Sequence, residues 1–268
     1  MEVKSLFRSV VPPLLWSIGK ACKRTLLGPP DHYAYAPRGW DTPLPDGARS
    51  EDYWTTFIAE GSAALQVVMA RVKNRQPALP GSEYEFKHVV FAYALALSAD
   101  EKERTTVLDY GGSLGDYLWH GKALLPGIDL EYHCKELPAI AAAGRQVNPE
   151  VIWHTDDTCL LKSYDLIMFS SSLEYVRDWK QVVGSAAHAA RRYLFLSDVP
   201  TVRHVPAFVA TERRGNVTNL HWQLNGRELV ETVEATGLRL VREFPMGPYP
   251  EVALAPEQPT SIGWLFRR

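Results

Sequence analysis

The chain has 268 residues, of which 46% are hydrophobic and 22% charged, and its formal net charge at pH 7 is −2. This composition is typical of a globular protein, and the balanced charge offers no broad basic surface for a nucleic-acid partner. The three cysteines lack metal-ligand spacing, which favours a reducing cytoplasm over a disulfide scaffold: Cys22, Cys134 and Cys159.

The N-terminal segment, residues 1–28, is predicted to contain a basic amphipathic helix. Pro12-Pro13 begins this helix and Gly28 ends it. One side carries basic residues and the other apolar ones: Lys20, Lys23 and Arg24 against Leu14, Leu15, Ile18, Cys22 and Leu26. Two interpretations stay open. The helix contacts an anionic membrane peripherally, at the inner membrane face, or it packs on its own protein with a solvated basic face.

Residues 1–104 show no strand alternation and are predicted to form an N-terminal helical extension. A loop rich in proline and glycine covers residues 28–47. Helices are predicted from Ser50 to Lys73 and from Ser82 to Ser98, where apolar residues recur at helical spacing. Aromatic residues of this extension are expected to form a lid over a substrate, with Tyr84 among the contacts.

From Thr105 onwards, short apolar runs alternate with helical segments. The predicted strands are TTVLDY, DLEYHCKE, EVIWHTD, YDLIMFS, RYLFLSDV, LRLVREF and SIGWLFRR. No element is predicted between the fifth strand and Trp222. A helix then begins at Asn225, with Glu228 completing a capping box, and ends at Gly237. The alternation predicts one α/β domain over residues 105–268 with a doubly wound parallel sheet, and the last two strands form an antiparallel hairpin at its edge.

A glycine turn follows the first of these strands in the stretch VLDYGGSLG. Its residues are Asp109, Gly111, Gly112, Ser113 and Gly115. Ligands of doubly wound sheets bind outside the carboxyl ends of the strands, and glycines let backbone amides approach them closely. Glu136 ends the second strand, 21 residues after Gly115, where an acid hydrogen-bonds a ribose diol. The sequence therefore predicts a nucleoside-containing ligand.

The spacing of the glycines distinguishes between two such ligands. Dinucleotide-binding turns need glycines at the first, third and sixth places, and neither frame starting at Gly111 or Gly112 provides them. Asp109 would also repel a pyrophosphate, whereas it suits a ligand with an ammonium or sulfonium group. S-adenosylmethionine carries both groups and a ribose, so we predict it as the cofactor. An NAD-dependent oxidoreductase is the alternative.

The stretch VLDYGGSLG resembles motif I of the class I S-adenosylmethionine-dependent methyltransferases, with the pattern acid-x-Gly-x-Gly-x-Gly. Asp109, Gly111 and Gly115 match, and Ser113 replaces the middle glycine. The resemblance implies a Rossmann-like sheet of seven strands with the last antiparallel. It also implies further cofactor contacts, at the ribose, beside the adenine and at the methyl end: Glu136 with Leu137, Asp156 or Asp157, and Ser170, Ser171 and Tyr175.

Longer phrases resemble a family of methyltransferases that is associated with surface-polysaccharide biosynthesis. These phrases are SVVPPLLW, KELPAIAAAGR, YDLIMFSSSLEYVRDW and LHWQLNGRELV. The resemblance implies, by association alone, that the acceptor is a glycan or another small molecule. The predicted reaction is therefore O-methylation of a sugar hydroxyl. A methyltransferase-like partner protein without catalytic activity is a further alternative.

Transfer of a methyl group to a hydroxyl requires alignment of donor and acceptor, and a base that takes the proton. Four loop positions over the strand ends qualify: Glu174 with Tyr175, Asp198, Arg203 with His204, and His221 with Trp222. We predict His204 as the base with Asp198 as its partner, and Arg203 as a substrate contact. His221 and Trp222 are predicted to form a platform that stacks on a sugar. No metal site is expected, because no carboxylate–histidine cluster shows ligand spacing.

Overall fold

The computed structural model describes residues 32–44, 51–74, 86–99, 104–214 and 217–268. The predicted helix within residues 1–28 and the predicted contact Tyr84 lie outside these residues. Before residue 105 the structure has one strand, β1 (His32–Tyr35), and two helices, α1 (Glu51–Lys73) and α2 (Phe86–Ser98). Both predicted helices of the extension are therefore present, whereas the strand was not predicted.

The remaining elements follow in alternation up to the sixth strand. They are β2 (Thr105–Tyr110), α3 (Asp116–Leu124), β3 (Leu130–Lys135), α4 (Pro138–Val147), β4 (Ile152–His154), β5 (Tyr164–Ser170), α5 (Trp179–Ala189), β6 (Ala190–Val202), β7 (Phe208–Arg214), β8 (Val217–Asn225), α6 (Gly226–Glu234), β9 (Arg239–Pro248), β10 (Val252–Ala253) and β11 (Thr260–Arg267). Short 3₁₀ turns lie at Gly39–Asp41, Asp157–Leu161 and Leu173–Tyr175.

Seven strands form the main sheet, in the order β4-β3-β2-β5-β6-β11-β9. The pairs among β2 to β6 are parallel, while β11 runs antiparallel to both β6 and β9. Apolar residues are buried on both faces of β5 at the centre, as the nearly continuous apolar run YDLIMFS predicts. This order, with one antiparallel strand, confirms the predicted fold class: a Rossmann-like α/β sheet with an N-terminal helical extension.

Four further strands form a second sheet beside the carboxyl end of β6, in the order β10-β1-β7-β8. Thr201 and Val202 at the end of β6 pair in parallel with Leu224 and Asn225 of β8, which joins the two sheets. The predicted fifth strand, RYLFLSDV, ends at Val199, before Pro200, and proline cannot donate to a strand ladder. Pro200 nevertheless lies within β6, in register with Ser261 of β11.

The helix after β8 begins as the sequence predicts. The Asn225 side chain accepts a hydrogen bond from the Glu228 backbone N–H at 3.0 Å, and Gly237 takes φ +97° just beyond the helix end. In the predicted capping box, the Glu228 carboxylate would accept the backbone N–H of Asn225. In the structure this carboxylate pairs instead with Lys180 of α5. Among the described residues, no helix combines the length and the apolar character needed to cross a membrane.

Candidate cofactor and acceptor site

The glycine turn after β2 requires small residues at several positions. Gly111 and Gly115 have φ of +77° and +74°, in the left-handed region that favours glycine. A Cβ on Gly112 would lie 2.2 Å from Asp109 Oδ2, although the φ of Gly112 is ordinary. Ser113, which replaces the middle glycine of the motif, itself takes a left-handed φ of +53°. The turn is thus tight around the carboxyl group of Asp109.

Asp109 is fully buried at the end of β2. The Tyr132 hydroxyl donates to Asp109 Oδ2 at 2.8 Å, whereas Oδ1 has no hydrogen-bond partner among the described residues. Burial raises the pKa of this carboxyl to about 8, and the hydrogen bond from Tyr132 offsets only part of the effect. No cation of the described residues acts on this buried carboxyl. It therefore suits a positively charged ligand, which would stabilise its ionised form.

Glu136 connects the end of β3 to the glycine turn. Its Oε1 accepts the backbone N–H of Ser113 at 3.1 Å, and its Oε2 accepts the backbone N–H of Leu137 at 2.6 Å. Burial raises the pKa of Glu136, while these two bonds favour the ionised form. Each carboxylate oxygen keeps a lone pair that can accept a hydroxyl donor, as a ribose diol would require.

Asn148, after α4, fixes the far side of the turn and was not singled out from the sequence. Its Nδ2 donates to the carbonyl oxygens of Leu114 and Gly115, at 3.0 Å each. Its Oδ1 accepts the indole N–H of Trp119 at 3.0 Å. The only sequence signal was the dipeptide Asn148-Pro149, which indicates a loop and not a buried anchor.

Replacing Asn148 with alanine is expected to lower the free energy of unfolding by roughly 2–4 kcal/mol, because three buried hydrogen bonds are lost. Urea unfolding followed by circular dichroism measures this difference. Asn74→Ala, at an exposed position after α1, is the control and should change stability by less than about 0.5 kcal/mol. Equal stabilities of the two variants would contradict the anchoring role of Asn148.

The two acids after β4 lie at the edge of the site. Asp156 is exposed and accepts the backbone N–H of Thr158 at 3.0 Å. Asp157 Oδ1 accepts the Tyr110 hydroxyl at 2.6 Å and lies 3.6 Å from Lys135 Nζ. Asp157 is therefore tied to the last residue of β2, while the carboxylate of Asp156 is turned towards solvent.

The loop after β5 contacts both the glycine turn and β6. Ser170 Oγ lies 2.9 Å from the Tyr117 hydroxyl, and Ser171, with φ of +50°, donates its N–H to Ser197 O at 3.0 Å. Ser172 Oγ donates to the carbonyl of Tyr110 at 2.6 Å. A Cβ on Gly111 would lie 2.4 Å from Ser172 Cβ. The loop that carries the predicted residues Ser170 and Ser171 thus lies beside the predicted glycine turn, which it contacts through Ser172.

Tyr175 connects this loop to the second sheet. Its hydroxyl donates to Glu212 Oε2 at 2.6 Å, while Glu212 Oε1 accepts from the Tyr33 hydroxyl at 2.7 Å and from Arg214 Nε at 2.6 Å. Burial opposes ionisation of Glu212, but these bonds and the charge of Arg214 hold its pKa below the usual value. Sequence reasoning missed Glu212 and Arg214 as site residues, because β7 was not predicted, whereas Tyr33 belongs to the aromatic residues of the predicted lid.

His221 and Trp222 lie on opposite faces of β8, as neighbours in a strand must. His221 is buried among the rings of Tyr33, Tyr175 and Tyr249, with centroid distances of 5.9, 5.8 and 6.4 Å. The Trp222 indole donates to the carbonyl of Arg177 at 3.1 Å and packs edge-to-face on Trp40. The two residues therefore do not form the single stacking platform that the sequence suggested.

His204, the predicted base, lies in a loop whose backbone is hydrogen-bonded to Glu257. Its two carboxylate oxygens accept the backbone N–H groups of Arg203 and His204, each at 2.8 Å. The His204 side chain is exposed, and the Arg203 guanidinium pairs with Glu243. Asp198, with φ of +56°, accepts a hydrogen bond from Ser261 Oγ at 3.1 Å. The catalytic roles of His204 and Asp198 stay predictions.

A histidine–carboxylate cluster lies between α2 and α3, where the sequence predicted no metal site. Ligand atoms of His88, Asp116 and His120 lie within 4.8 Å of one another. The imidazole rings of His88 and His120 stack face to face, with centroids 3.8 Å apart and planes inclined by 16°. Lone pairs in the planes of stacked rings run side by side and do not converge on one ion, so we assign no metal here.

No family model and no curated protein matches the sequence. Solved structures do resemble the fold. An amino pentose methyltransferase from Micromonospora echinaspora, bound to S-adenosylmethionine, is 16% identical with a TM-score of 0.46, and 75% of this chain and 96% of that chain are covered. A 1,6-didemethyltoxoflavin-N1-methyltransferase from Burkholderia thailandensis is 15% identical with a TM-score of 0.45, and the covered shares are 86% and 93%.

A magnesium protoporphyrin IX methyltransferase from Synechocystis PCC 6803 is 14% identical with a TM-score of 0.46, covering 85% of this chain and 99% of that chain. Similarities of this size carry nothing about substrate or activity. The strand order itself, with β11 antiparallel between β6 and β9, decides the fold class. This is the sheet that the resemblance to the class I methyltransferases implies.

Proposed function

We propose that the chain binds S-adenosylmethionine at the glycine turn and transfers its methyl group to a sugar hydroxyl of a glycan or glycoconjugate. The observation that carries the cofactor assignment is the buried Asp109 carboxyl, which has an unpartnered Oδ1 beside a turn that excludes side chains. A bound sulfonium cofactor would supply the electrophilic methyl group, and its positive charge and its ammonium group fit this environment.

In this proposal, different residues around the turn contact different parts of the cofactor. Glu136 accepts the ribose hydroxyls, while the backbone at Leu137 and the acids Asp156 and Asp157 line the adenine edge. Backbone groups from Gly111 to Gly115 approach the methionine portion, where Ser113 adds a hydroxyl. The methyl end faces Ser170, Ser171 and Tyr175, whose loop is tied to the turn through Ser172.

The acceptor in this proposal lies between the loop after β5 and the second sheet. Buried polar atoms without a protein partner occur there among the described residues, on Glu174, His221 and Gln223. Such atoms suit a polar, uncharged ligand such as a sugar. The wider proposal includes Tyr84 and Trp222 as substrate contacts and peripheral membrane contact through residues 1–28. Flotation of the protein with anionic liposomes, with and without residues 1–28, tests the membrane contact.

Replacing Glu136 with alanine is expected to weaken binding of S-adenosylhomocysteine by roughly 1–3 kcal/mol, because charge-assisted hydrogen bonds to the ribose are lost. Isothermal titration calorimetry measures the change. Glu150→Ala is the matched control, because Glu150 forms a surface ion pair with Lys122 and lies outside the turn. We expect the control to bind like the wild-type protein.

The same titrations separate the proposal from its rivals. Binding of NADH in place of S-adenosylhomocysteine would overturn the cofactor assignment. An unchanged affinity of Glu136→Ala would remove the proposed ribose contact. Mass spectrometry of glycans incubated with the donor distinguishes an enzyme from a partner protein, because transfer adds one methyl group to the acceptor.

A further inference from the structure

Glu174 is a buried acid that the proposed cofactor contacts do not use. Its side chain is 4% exposed, and Oε2 has no hydrogen-bond partner among the described residues. His221, fully buried on β8, likewise has an unpartnered Nε2, while its Nδ1 lies 3.3 Å from Gln223 Nε2. An unpaired buried polar atom destabilises the folded protein, so such atoms indicate a polar ligand.

The position of Glu174 in the chain places it between the cofactor turn and the second sheet. It lies in the 3₁₀ turn Leu173–Tyr175, two residues after Ser172, which bonds to the glycine turn through the carbonyl of Tyr110. The next residue, Tyr175, bonds to Glu212 of the second sheet. The turn also packs against β6 and β8. Glu174 therefore stands where the proposed methyl end meets the proposed acceptor.

Among the described residues, the charges around Glu174 leave it without a cation of its own. Asp198 and Glu212 are the acids that act on it, and the nearby cation, Arg214, is bonded to Glu212. Burial and then these two acids raise the pKa of Glu174 to about 8. Burial lowers the pKa of His221 to about 4, although the charge of Glu212 opposes the shift. Ionised Glu174 is thus a much stronger base than neutral His221.

We propose that Glu174 and His221 form the acceptor pocket, and that the Glu174 carboxylate, in place of the exposed His204, takes the proton of the acceptor hydroxyl. This inference rests on the proposed methyltransferase function. The hydroxyl oxygen forms a bond to the methyl carbon, and the carbon–sulfur bond breaks with its electron pair staying on sulfur. The hydroxyl proton moves to Glu174 Oε2 and later leaves to water. Charge balances, because one sulfonium and one carboxylate become a neutral thioether and a neutral acid.

The proposal limits the chemistry of the acceptor and explains how the base is ionised. An acceptor with a phosphate or carboxylate next to its hydroxyl would be repelled by Glu174, Asp198 and Glu212, so the reacting part is uncharged. A sulfonium charge within about 4–6 Å of Glu174 lowers its pKa by about 1–3 units. Binding of the methyl donor therefore converts Glu174 to the carboxylate at neutral pH.

Infrared spectroscopy tests this coupling without knowledge of the acceptor. The difference spectrum between the wild-type protein and Glu174→Gln isolates the carboxylic-acid band of Glu174, which we expect at pH 7 in the free protein. S-adenosylmethionine should shift the pH midpoint of that band down by at least about one unit. S-adenosylhomocysteine, which lacks the sulfonium charge, should leave the midpoint nearly unchanged.

The outcomes separate the inference from the function on which it rests. If calorimetry shows that neither compound binds, the proposed function itself fails. If S-adenosylmethionine binds to wild-type and Glu174→Gln equally but the band midpoint does not move, Glu174 does not face the sulfonium and the inference is overturned. Glu251→Gln, at an exposed position, is the control and should leave the band unchanged.

Methyl transfer provides a second readout, with methyl α-glucoside, α-galactoside and α-mannoside as acceptor probes and labelled S-adenosylmethionine as donor. On any probe that the wild-type protein methylates, Glu174→Gln should lower kcat at least about 100-fold. Glu174→Asp should keep part of the wild-type rate. The control Glu251→Gln should have the full wild-type rate. Equal rates for wild-type and Glu174→Gln would rule out Glu174 as the base.

Discussion

Replacing Gly112 with alanine is expected to abolish binding of S-adenosylhomocysteine and to lower the free energy of unfolding by about 2–3 kcal/mol. The new Cβ would lie 2.2 Å from Oδ2 and 2.3 Å from Cγ of Asp109. Asp109 cannot retreat easily, because it is fully buried and its Oδ2 accepts the hydroxyl of Tyr132. The turn must therefore shift, and its backbone amides move away from the ligand. Calorimetry and urea unfolding measure the two effects.

Gly184→Ala is the matched control, because a Cβ there would have no atom within 4 Å. Gly184 lies inside α5, where alanine is a better helix former, so this variant should gain about 0.5–1 kcal/mol and bind the ligand normally. If Gly112→Ala kept both the wild-type stability and the wild-type affinity for S-adenosylhomocysteine, the close approach of Gly112 to the Asp109 carboxyl would be contradicted. The cofactor assignment would lose its main steric support.

Two buried carboxyls should make the protein less stable as the pH rises from about 5 to 9. Burial raises the pKa of Asp109 and of Glu174 to about 8, above their values in an unfolded chain. The folded protein thus holds these protons more tightly. The stability that they contribute is fully present below pH 4 and is lost as the pH rises through 8.

The expected loss is about 4 kcal/mol for each carboxyl, as an order of magnitude. Urea unfolding of the ligand-free protein at pH 5, 6, 7, 8 and 9 measures it. The double variant Asp109→Asn, Glu174→Gln should show a much flatter dependence on pH, because amides do not titrate. Parallel curves for the wild-type protein and the double variant would mean that other groups govern the pH dependence.

The main sheet could be predicted from the sequence because its strands are long apolar runs separated by helices. The run YDLIMFS is the clearest case, since the strand β5 has the predicted ends. The glycine turn and Glu136 were also placed next to each other correctly, because the turn and the second strand end at the same edge of the sheet.

The second sheet could not be predicted, because its strands gain their stability from distant partners. β1 has four residues and pairs with β7, about 180 residues later in the chain. Neither segment shows enough alternation alone to indicate a strand. For the same reason the bonds of Tyr33, Tyr175 and Arg214 to Glu212 were beyond sequence reasoning. The hydrogen bonds around the proposed acceptor position therefore come from the structure alone.

The strand β6 belongs to both sheets, since it pairs with β5 and β11 along most of its length and with β8 at its last two residues. The proposed donor position and the proposed acceptor position therefore share one strand, which is hydrogen-bonded to its neighbours in both sheets. In the proposed function, preference for one acceptor over another then comes from the side chains of the second sheet. In the proposed function, exchange of the β7–β8 hairpin between related chains would redirect methyl transfer to new acceptors while the proposed donor site stays intact.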